Sequence, residues 1–313
     1  MNSISFGPVP SRRLGRSLGI NNVFPKKCSY SCVYCQLGRT IDILSTRKPF
    51  HEPQVLVDDV FRRIREAENS GSRIDYLTFV PDGEPTLDSN LGTEIRMLKE
   101  SGIKIAVITN SSLIWREDVR KDLEDADWIS FKVDTVREST WRRINRPYDS
   151  FDFELILYGI SLFSKQFRGT FTTETMLVSD LNDSNPEMER TARYLKRVNP
   201  KISYVSIPTR PPAEKWVRPP SENVLANAGS IFRKYLDRVE VLSQFEGTEF
   251  FVTGDPAEDI LAISSVHPLR EDSIREILKR TGKDWNAVAM LLEKGELEEV
   301  EYNGFRYYVR ILG

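Results

Sequence analysis

Three cysteines lie within eight consecutive residues and form the spacing CxxxCxxC. They are Cys28, Cys32 and Cys35, and the 313-residue chain contains no other cysteine. Thiolates grouped this closely let one short loop bind a metal centre, and cysteine is the usual ligand of iron–sulfur clusters. A four-iron cluster held by three cysteines leaves one iron without a protein ligand. Because that iron can bind a small molecule, the spacing predicts a reactive cluster rather than a structural one.

Two other interpretations of the cysteines are weaker. A disulfide framework is disfavoured because the number of cysteines is odd and the chain is long. An open zinc site is the stronger competitor, but zinc sites usually recruit histidine, and the sequence has only His51 and His267. His51 lies in a segment typical of a helix entry, where histidine is usually a surface residue.

The cysteine loop resembles the signature loop of the radical S-adenosylmethionine (radical SAM) superfamily, with the aromatic Tyr34 before the third cysteine. The stretches Phe6 to Gly15 and Cys35 to Gly38 are similar to a branch related to wyosine tRNA-base synthases, although the cysteines of their second cluster are absent here. The resemblance implies one [4Fe–4S] cluster whose open iron binds S-adenosylmethionine. One electron would then cleave this cofactor to methionine and a 5′-deoxyadenosyl radical.

Apolar runs typical of strands alternate with helical patterns after the cysteine loop, which predicts an α/β fold with a parallel sheet and crossover helices. Combined with the resemblance, six such units imply a partial (β/α)6 barrel of the radical SAM type over residues 1–210. The predicted strands lie near 15–23, 74–80, 103–109, 128–134, 170–178 and 202–207. The predicted helices begin after Pro53 and near residues 89, 112, 151 and 186.

Five prolines within residues 208–220 predict irregular chain there, so we expect the barrel to end at residue 210. A proline-rich connecting segment should then cover residues 211–253. Within residues 254–313, Asp255 and Pro256 predict a helix start, and two further short helices follow. Asn303-Gly304 between alternating apolar residues predicts a hairpin. This order predicts a small winged-helix-like module.

Active sites of such barrels lie at the carboxyl ends of the parallel strands. The second predicted strand runs into Gly83, Glu84 and Pro85, which are similar to the superfamily's Gly-Gly-Glu-Pro motif with Asp82 in place of the first glycine. The resemblance implies that these residues bind the cofactor and that Glu84 accepts a hydrogen bond from its methionyl ammonium. A simple turn is the alternative.

Side-chain alternation places Lys132 and Asp134 on the polar face of the fourth predicted strand, and Glu174 on that of the fifth. A buried lysine and aspartate without partners would be costly, so the two either pair with each other or bind the cofactor's carboxylate and ribose hydroxyls. Glu174 is a candidate for ribose or substrate contact. Asn110 and, more weakly, Asn182 are further candidates for cofactor binding, with turn formation as the alternative for both.

Charge is unevenly distributed along the chain. Residues 1–50 carry eight basic residues and one acidic residue, a net charge of +7 within a chain of net charge −2. A basic surface near the cluster would attract a flavodoxin- or ferredoxin-type electron donor, or an RNA. Residues 268–313 carry eight basic and nine acidic residues, so DNA binding is disfavoured, and with it the non-enzymatic alternative of an iron–sulfur-dependent winged-helix regulator.

No apolar run approaches the ~20 residues of a membrane span, and the first residues lack the apolar region of a signal peptide. We therefore expect a cytoplasmic protein that does not enter a membrane. The resemblance implies a radical SAM enzyme with an unidentified substrate, and its wyosine-like part favours an RNA base. The alternative substrate is a protein or peptide side chain held by the C-terminal module.

Overall fold

A computed structural model of the chain describes residues 4–243, 247, 250, 252 and 254–311. In chain order the strands are β1 (Ser5–Ser11), β2 (Gly15–Ile20), β3 (Lys27–Cys28), β4 (Asp42–Ile43), β5 (Tyr76–Phe79), β6 (Lys104–Thr109), β7 (Trp128–Lys132), β8 (Thr170–Met176), β9 (Ile202–Ser206), β10 (Val239–Leu242), β11 (Leu269–Arg270), β12 (Leu297–Tyr302) and β13 (Phe305–Arg310). The helices are α1 (Pro53–Asn69), α2 (Leu91–Leu98), α3 (Glu117–Leu123), α4 (Glu138–Asn145), α5 (Phe153–Gln166), α6 (Asn185–Val198), α7 (Glu222–Arg233), α8 (Pro256–Ser264), α9 (Glu271–Thr281) and α10 (Asn286–Glu293). None of these helices combines the length and the apolar character needed to cross a membrane.

Eight strands form the main sheet, in the order β1-β2-β5-β6-β7-β8-β9-β10. β1 is antiparallel to β2, and every other neighbouring pair is parallel. The six predicted strands are present as β2, β5, β6, β7, β8 and β9. The predicted α/β class with a mostly parallel sheet is therefore confirmed.

The main sheet extends beyond residue 210, where the sequence predicted its end. β10 pairs in parallel with β9, with Val239 opposite Ser203. The prolines exclude regular structure only as far as Ser221, whose side chain caps α7 by accepting a hydrogen bond from the Val224 N–H at 3.4 Å. The expected end of the sheet at residue 210 is therefore wrong, because α7 and β10 add a seventh parallel strand. The sequence analysis predicted neither these two elements nor helix α4.

The two faces of the main sheet differ in character. On one face, Ile129, Phe131 and Val133 pack into an apolar core shared with the helices, and the Phe131 ring lies 5.1 Å from that of Phe163 in α5. α1 contributes the predicted apolar stripe to this core, from Val57 to Ala67. The opposite face is mixed: it carries Lys132 and Glu174, as the alternation along the strands predicted, and a second apolar cluster that includes Trp128, Ile202 and Tyr204. This face meets the cysteine loop, where Lys132 Nζ lies 4.9 Å from the Tyr34 ring centre.

Residues 254–311 form a smaller layer with its own apolar core, which contains Ile263, Ile274, Leu291 and Tyr308. Its three strands are ordered β11-β13-β12. Asp255 caps α8 by accepting a hydrogen bond from the Ala257 N–H at 2.9 Å, as predicted. The helices and the hairpin occupy their predicted positions, while the winged-helix assignment remains a prediction.

Candidate functional site

The cysteine loop is fixed by the residues between its cysteines. Tyr30 and Val33 are buried, and the Tyr30 ring packs edge-on against Trp141 of α4 at 5.8 Å. The Val33 N–H donates to the Ile144 carbonyl at 2.8 Å. The spacing residues of CxxxCxxC therefore anchor the loop to α4, while the cysteines remain only partly buried.

The donor set of this loop fits an iron–sulfur cluster. The three thiols form no disulfide, and two of them have amide donors: Asn145 Nδ2 lies 3.4 Å from Cys32 Sγ, and Asn110 Nδ2 lies 3.6 Å from Cys28 Sγ. Amide donors to sulfur are typical of iron–sulfur sites, where they orient the ligands and tune the centre. Burial raises the pKa of all three thiols, that of Cys32 to about 12, so their thiolate form requires the positive charge of a bound metal centre.

Among the residues that the structure describes, no three His, Cys, Asp or Glu side chains are grouped closely enough to hold a single metal ion. The zinc alternative would need such a group. A four-iron cluster does not, because each cysteine binds a different iron.

Glu84 is buried and joins the turn after β5 to the end of β6. Its Oε1 accepts hydrogen bonds from the Thr86 N–H at 3.0 Å and from the hydroxyls of Thr86 and Thr109 at 2.6 and 2.5 Å. Its Oε2 accepts one from the Asn110 N–H at 2.7 Å. Burial raises the pKa of Glu84 in spite of these four bonds. Glu84 therefore stabilises the turn, which is the alternative role that the sequence analysis gave for this segment.

The residues around Glu84 pack this turn against the cysteine loop. A Cβ atom at Gly83 would lie 2.0 Å from the Lys27 carbonyl oxygen, so only glycine allows this approach. The Pro85 carbonyl accepts a hydrogen bond from Asn22 Nδ2 at 3.1 Å. Asp82 is also buried, which raises its pKa to about 6. The motif thus places Glu84 beside the cysteines through backbone packing.

Lys132, Asp134 and Glu174 lie together at the carboxyl ends of β7 and β8. Lys132 Nζ lies 3.1 Å from Glu174 Oε1 but 3.9 Å from Asp134 Oδ1, so the main partner of Lys132 is Glu174. Burial opposes the charged lysine, but Glu174 and Asp134 outweigh it and raise the pKa of Lys132. Burial likewise opposes the charged carboxylate, but Arg13 and Lys132 hold the pKa of Glu174 well below its ordinary value.

Arg13 is a member of this cluster that the sequence analysis missed. It donates through Nη1 to Glu174 Oε2, and its guanidinium lies 5.7 Å from the Tyr204 ring centre. Ser206 Oγ donates to Glu174 Oε1 at 2.9 Å. Arg13 follows β1 in the stretch that carries the family resemblance, but we assigned it to a basic surface, and nothing local indicates a partner 161 residues away.

Asp134 connects the cysteine loop to the sheet. Its Oδ2 accepts hydrogen bonds from the Tyr34 hydroxyl and from Asn145 Nδ2, the latter at 2.8 Å, and its Oδ1 accepts one from the Met176 N–H at 2.9 Å. Asn182 Nδ2 donates to the Asp134 and Met176 carbonyls at 2.7 and 2.8 Å, as the turn alternative expects.

One small cavity beside the cysteine loop is lined by apolar residues of α5 together with Asn110, Lys132, Asp134, Thr135 and Asn145. Three of them are predicted site residues, and Asn145 is an addition that no sequence signal indicated. The roles of all the predicted residues toward a cofactor remain predictions.

The predicted basic surface of residues 1–50 is largely neutralised by acids from elsewhere in the fold. Five of its eight cations form ion pairs with acids that the structure describes: Arg13 with Glu174, Lys26 with Asp82, Lys27 with Asp42, Arg39 with Glu214 and Arg47 with Asp122. Of these acids, only Asp42 belongs to the first 50 residues. The net charge of the segment therefore overstates the positive charge at its surface, and the electron donor and RNA partner remain predictions.

Comparison with known proteins places this site in a family. The model of the radical SAM superfamily matches residues 22–195. The UPF0026 protein MJ1312 of Methanocaldococcus jannaschii is 45% identical over 310 residues, covering 98% of this chain and 96% of that protein.

Solved structures share the fold at low sequence identity. A radical SAM methyltransferase from Sphaerobacter thermophilus has a TM-score of 0.55 at 15% identity, covering 72% of this chain and 66% of that chain. TYW1 with a bound lysine–pyruvate adduct has a TM-score of 0.49 at 15% identity, covering 94% and 80%. The latter similarity is too distant to test the wyosine resemblance, which stays a prediction. With a matched loop of three cysteines, a mostly parallel sheet and a relative similar along its whole length, the chain belongs to the radical SAM superfamily.

Proposed function

We propose that this protein is a radical SAM enzyme that holds one [4Fe–4S] cluster through Cys28, Cys32 and Cys35. When bound, the cluster supplies the electron that cleaves S-adenosylmethionine to methionine and a 5′-deoxyadenosyl radical, which takes a hydrogen atom from the substrate. The observation that carries this proposal is the pair of amide donors, Asn110 and Asn145, placed at two of the three thiols. Such donors support a reactive thiolate centre.

The chain's own residues divide the remaining work between anchoring and binding. Glu84 and Gly83 fix the turn beside the cysteines, and Glu84 Oε2, which accepts a hydrogen bond from the Asn110 N–H, would also accept one from the methionyl ammonium. Lys132 supplies a positive charge for the cofactor's carboxylate, and Asp134 and Glu174 supply acceptors for the ribose hydroxyls. Glu84, Asp134 and Glu174 are buried and Lys132 is partly buried, which limits the access of water and strengthens each of these charge-assisted contacts.

Two substrate classes remain as proposals. An RNA base follows from the wyosine resemblance. A polypeptide side chain is favoured by a specific observation, a groove that runs from the C-terminal hairpin to the residue after Cys35 and is acidic on its hairpin side.

Anaerobic reconstitution tests the proposal. The wild-type protein should bind about four irons and four sulfides and, once reduced, should release 5′-deoxyadenosine from S-adenosylmethionine. Cys32→Ala should lose both properties because a ligand is removed. Ser31→Ala is the matched control in the same loop and should keep both. One tightly held zinc ion without labile sulfide in the wild-type protein would refute the proposal.

A further inference from the structure

A groove of about 640 Å³ separates the hairpin β12–β13 from the proline-rich chain that follows β9. Pro211 and Pro212 line one side of this groove, and Val300 and Val309 line the other. At one end it reaches Gln36, the residue directly after Cys35. Its volume lies in the usual range for ligand sites.

The inner end of the groove is fixed by bonds across three parts of the fold. Gln36 Nε2 donates to the Val266 carbonyl of the C-terminal module at 2.9 Å, and Arg210 Nη1 donates to Gln36 Oε1 at 2.7 Å. The hairpin is held by the Tyr302 hydroxyl, which donates to the Pro208 carbonyl at 3.1 Å. The groove is therefore held in place relative to the cysteine loop.

β12 forms one edge of its sheet, and no described residue pairs with its outer side. Tyr302 and Phe305 flank a two-residue turn and form a hydrogen-bonded pair. Counting back from Tyr302, every second residue of β12 is hydrogen-bonded to β13, and the residues between them are not. The Ile311 N–H donates to the Glu296 carbonyl at 3.0 Å, which continues the same alternation. The backbone groups of Glu299 and Glu301 consequently point outward, where a further strand can bond to them.

The charge of β12 indicates which kind of chain can bind along its outer side. Glu298, Glu299 and Glu301 are exposed, and the segment 297–302 contains no basic residue. Charges on an edge strand also prevent aggregation, but that purpose does not require an apolar groove leading to the cysteine loop. Lys215 and Arg218 lie on the opposite wall, where Arg218 Nη1 donates to the carbonyls of Lys215 and Val217. An RNA strand along β12 itself would meet the repulsion of these three carboxylates, although the opposite wall of the groove carries two cations.

We infer that β12 binds an extended polypeptide carrying basic side chains as an added strand, and that this segment leads its substrate residue to the cysteine loop. Backbone bonds to Glu299 and Glu301 supply affinity, and Glu298 and Glu301 select basic side chains. As a statement about the substrate, this inference rests on the proposed function. The binding itself can be measured separately from any reaction.

Binding of a fluorescent (Lys-Val)5 peptide to the reconstituted protein tests the inference. The peptide should bind, and amide hydrogen exchange at Glu299 and Glu301 should slow on binding. Glu301→Pro removes one outward N–H without touching a hairpin bond and should weaken binding at least tenfold. Glu301→Gln, the matched control that keeps the N–H, should weaken it only about threefold.

Three further probes do not depend on how Glu301→Pro folds. A (Lys-Val)5 peptide N-methylated at alternate residues should lose binding, and (Glu-Val)5 should not bind. A single-stranded RNA of 20 nucleotides should not slow exchange in β12. Absence of (Lys-Val)5 binding, equal binding by the N-methylated peptide, or protection of β12 by the RNA would overturn the inference. Release of 5′-deoxyadenosine, measured in parallel, reports on the proposed function alone.

Discussion

Glu84 and Glu174 are two buried carboxylates of one site, and the fold stabilises them by opposite means. Glu84 accepts four hydrogen bonds from uncharged hydroxyl and backbone donors. Glu174 is held by two cations, Arg13 and Lys132, with the Ser206 hydroxyl as its uncharged donor. The first arrangement ties the turn after β5 to the end of β6. The second arrangement brings together charged side chains that can also bind a ligand.

The difference indicates which residues should tolerate a change of partner. Neutral donors fixed by the backbone cannot turn toward a ligand without breaking the turn, so the Glu84 region should be rigid. Long cationic side chains can turn between a carboxylate of the protein and one of a ligand. The Lys132 region should therefore rearrange on cofactor binding, whereas the Glu84 region should not.

The largest effect is expected from Glu84→Ala, which leaves four buried donors without an acceptor. The free energy of unfolding should fall by about 3–5 kcal/mol, as measured by denaturant unfolding of the cofactor-free protein. Because Asn110 is held by Glu84 and reaches Cys28, iron content after reconstitution should fall as well.

Glu84→Gln removes the charge of Glu84 but keeps the size of its side chain, so it is the matched variant that isolates the effect of the charge. Its carbonyl can replace the oxygen that accepts three bonds, while its NH2 group faces the Asn110 N–H, so the stability cost should be only about 1–2 kcal/mol. Affinity for S-adenosylmethionine should fall by more than this change in stability accounts for. An unchanged dissociation constant would contradict the contact between Glu84 and the ammonium.

A smaller effect is expected from Lys132→Met. Glu174 keeps Arg13 and Ser206, so the loss of stability should be about 1–3 kcal/mol, below the 3–5 kcal/mol typical of a buried charge left alone. Adding Arg13→Met should cost more than the two single changes combined, because Glu174 then loses both cations that are ion-paired with it and keeps the charge interaction with Arg12.

The pH dependence of the same variants gives a second measurement. The depressed pKa of Glu174 means that its contribution to stability is present above its ordinary value of 4.5 and is lost as the pH falls below it. Melting temperatures between pH 3 and 8 should therefore depend less on pH in the double variant than in the wild-type protein. Additive effects with parallel pH profiles would show that Glu174 does not depend on the two cations.

The smallest effect is expected at Glu94, a buried carboxyl in α2 that has neither kind of partner among the described residues. Burial and the neighbouring Asp88 raise its pKa from 4.5 to about 9. Between these values the folded state keeps a proton that the unfolded state has released, so stability should fall as the pH rises through this window. Glu94→Gln, which has no carboxyl proton to lose, should gain stability over the wild-type protein as the pH rises toward 8.5.

That advantage should shrink toward pH 5, as followed by thermal unfolding at several pH values. Glu100→Gln, at an exposed position just beyond α2, should keep the wild-type profile. Equal pH dependence in Glu94→Gln and the wild-type protein would show that the carboxyl pair does not retain its proton.

Much of the site was predictable because its signals are local. Alternation along β7 and β8 correctly placed Lys132 and Glu174 on one face, since neighbouring side chains of a strand must point in opposite directions. The spacing of the cysteines needed no knowledge of the fold.

The remainder depends on contacts between distant segments, which no local pattern records. Arg13 and Asn145 reach Glu174 and Cys32 across 161 and 113 positions of the chain. β10 was missed because the preceding prolines made the segment look irregular throughout. The net charge of residues 1–50 gave a wrong picture of the surface for a similar reason, because a sum over the sequence cannot show that Arg39 is paired with Glu214.

The hydrogen bonds of Gln36 also limit where the chain can be truncated. A shortened protein that ended before residue 254 would lack the Val266 carbonyl that Gln36 binds and the His267 imidazole that lies 2.9 Å from Arg210. It would then expose a guanidinium that is now buried, directly beside the last cysteine of the loop. An engineer who wants a smaller or split version should therefore keep residues 254–311 on the same polypeptide, or supply them as a second chain with this contact intact.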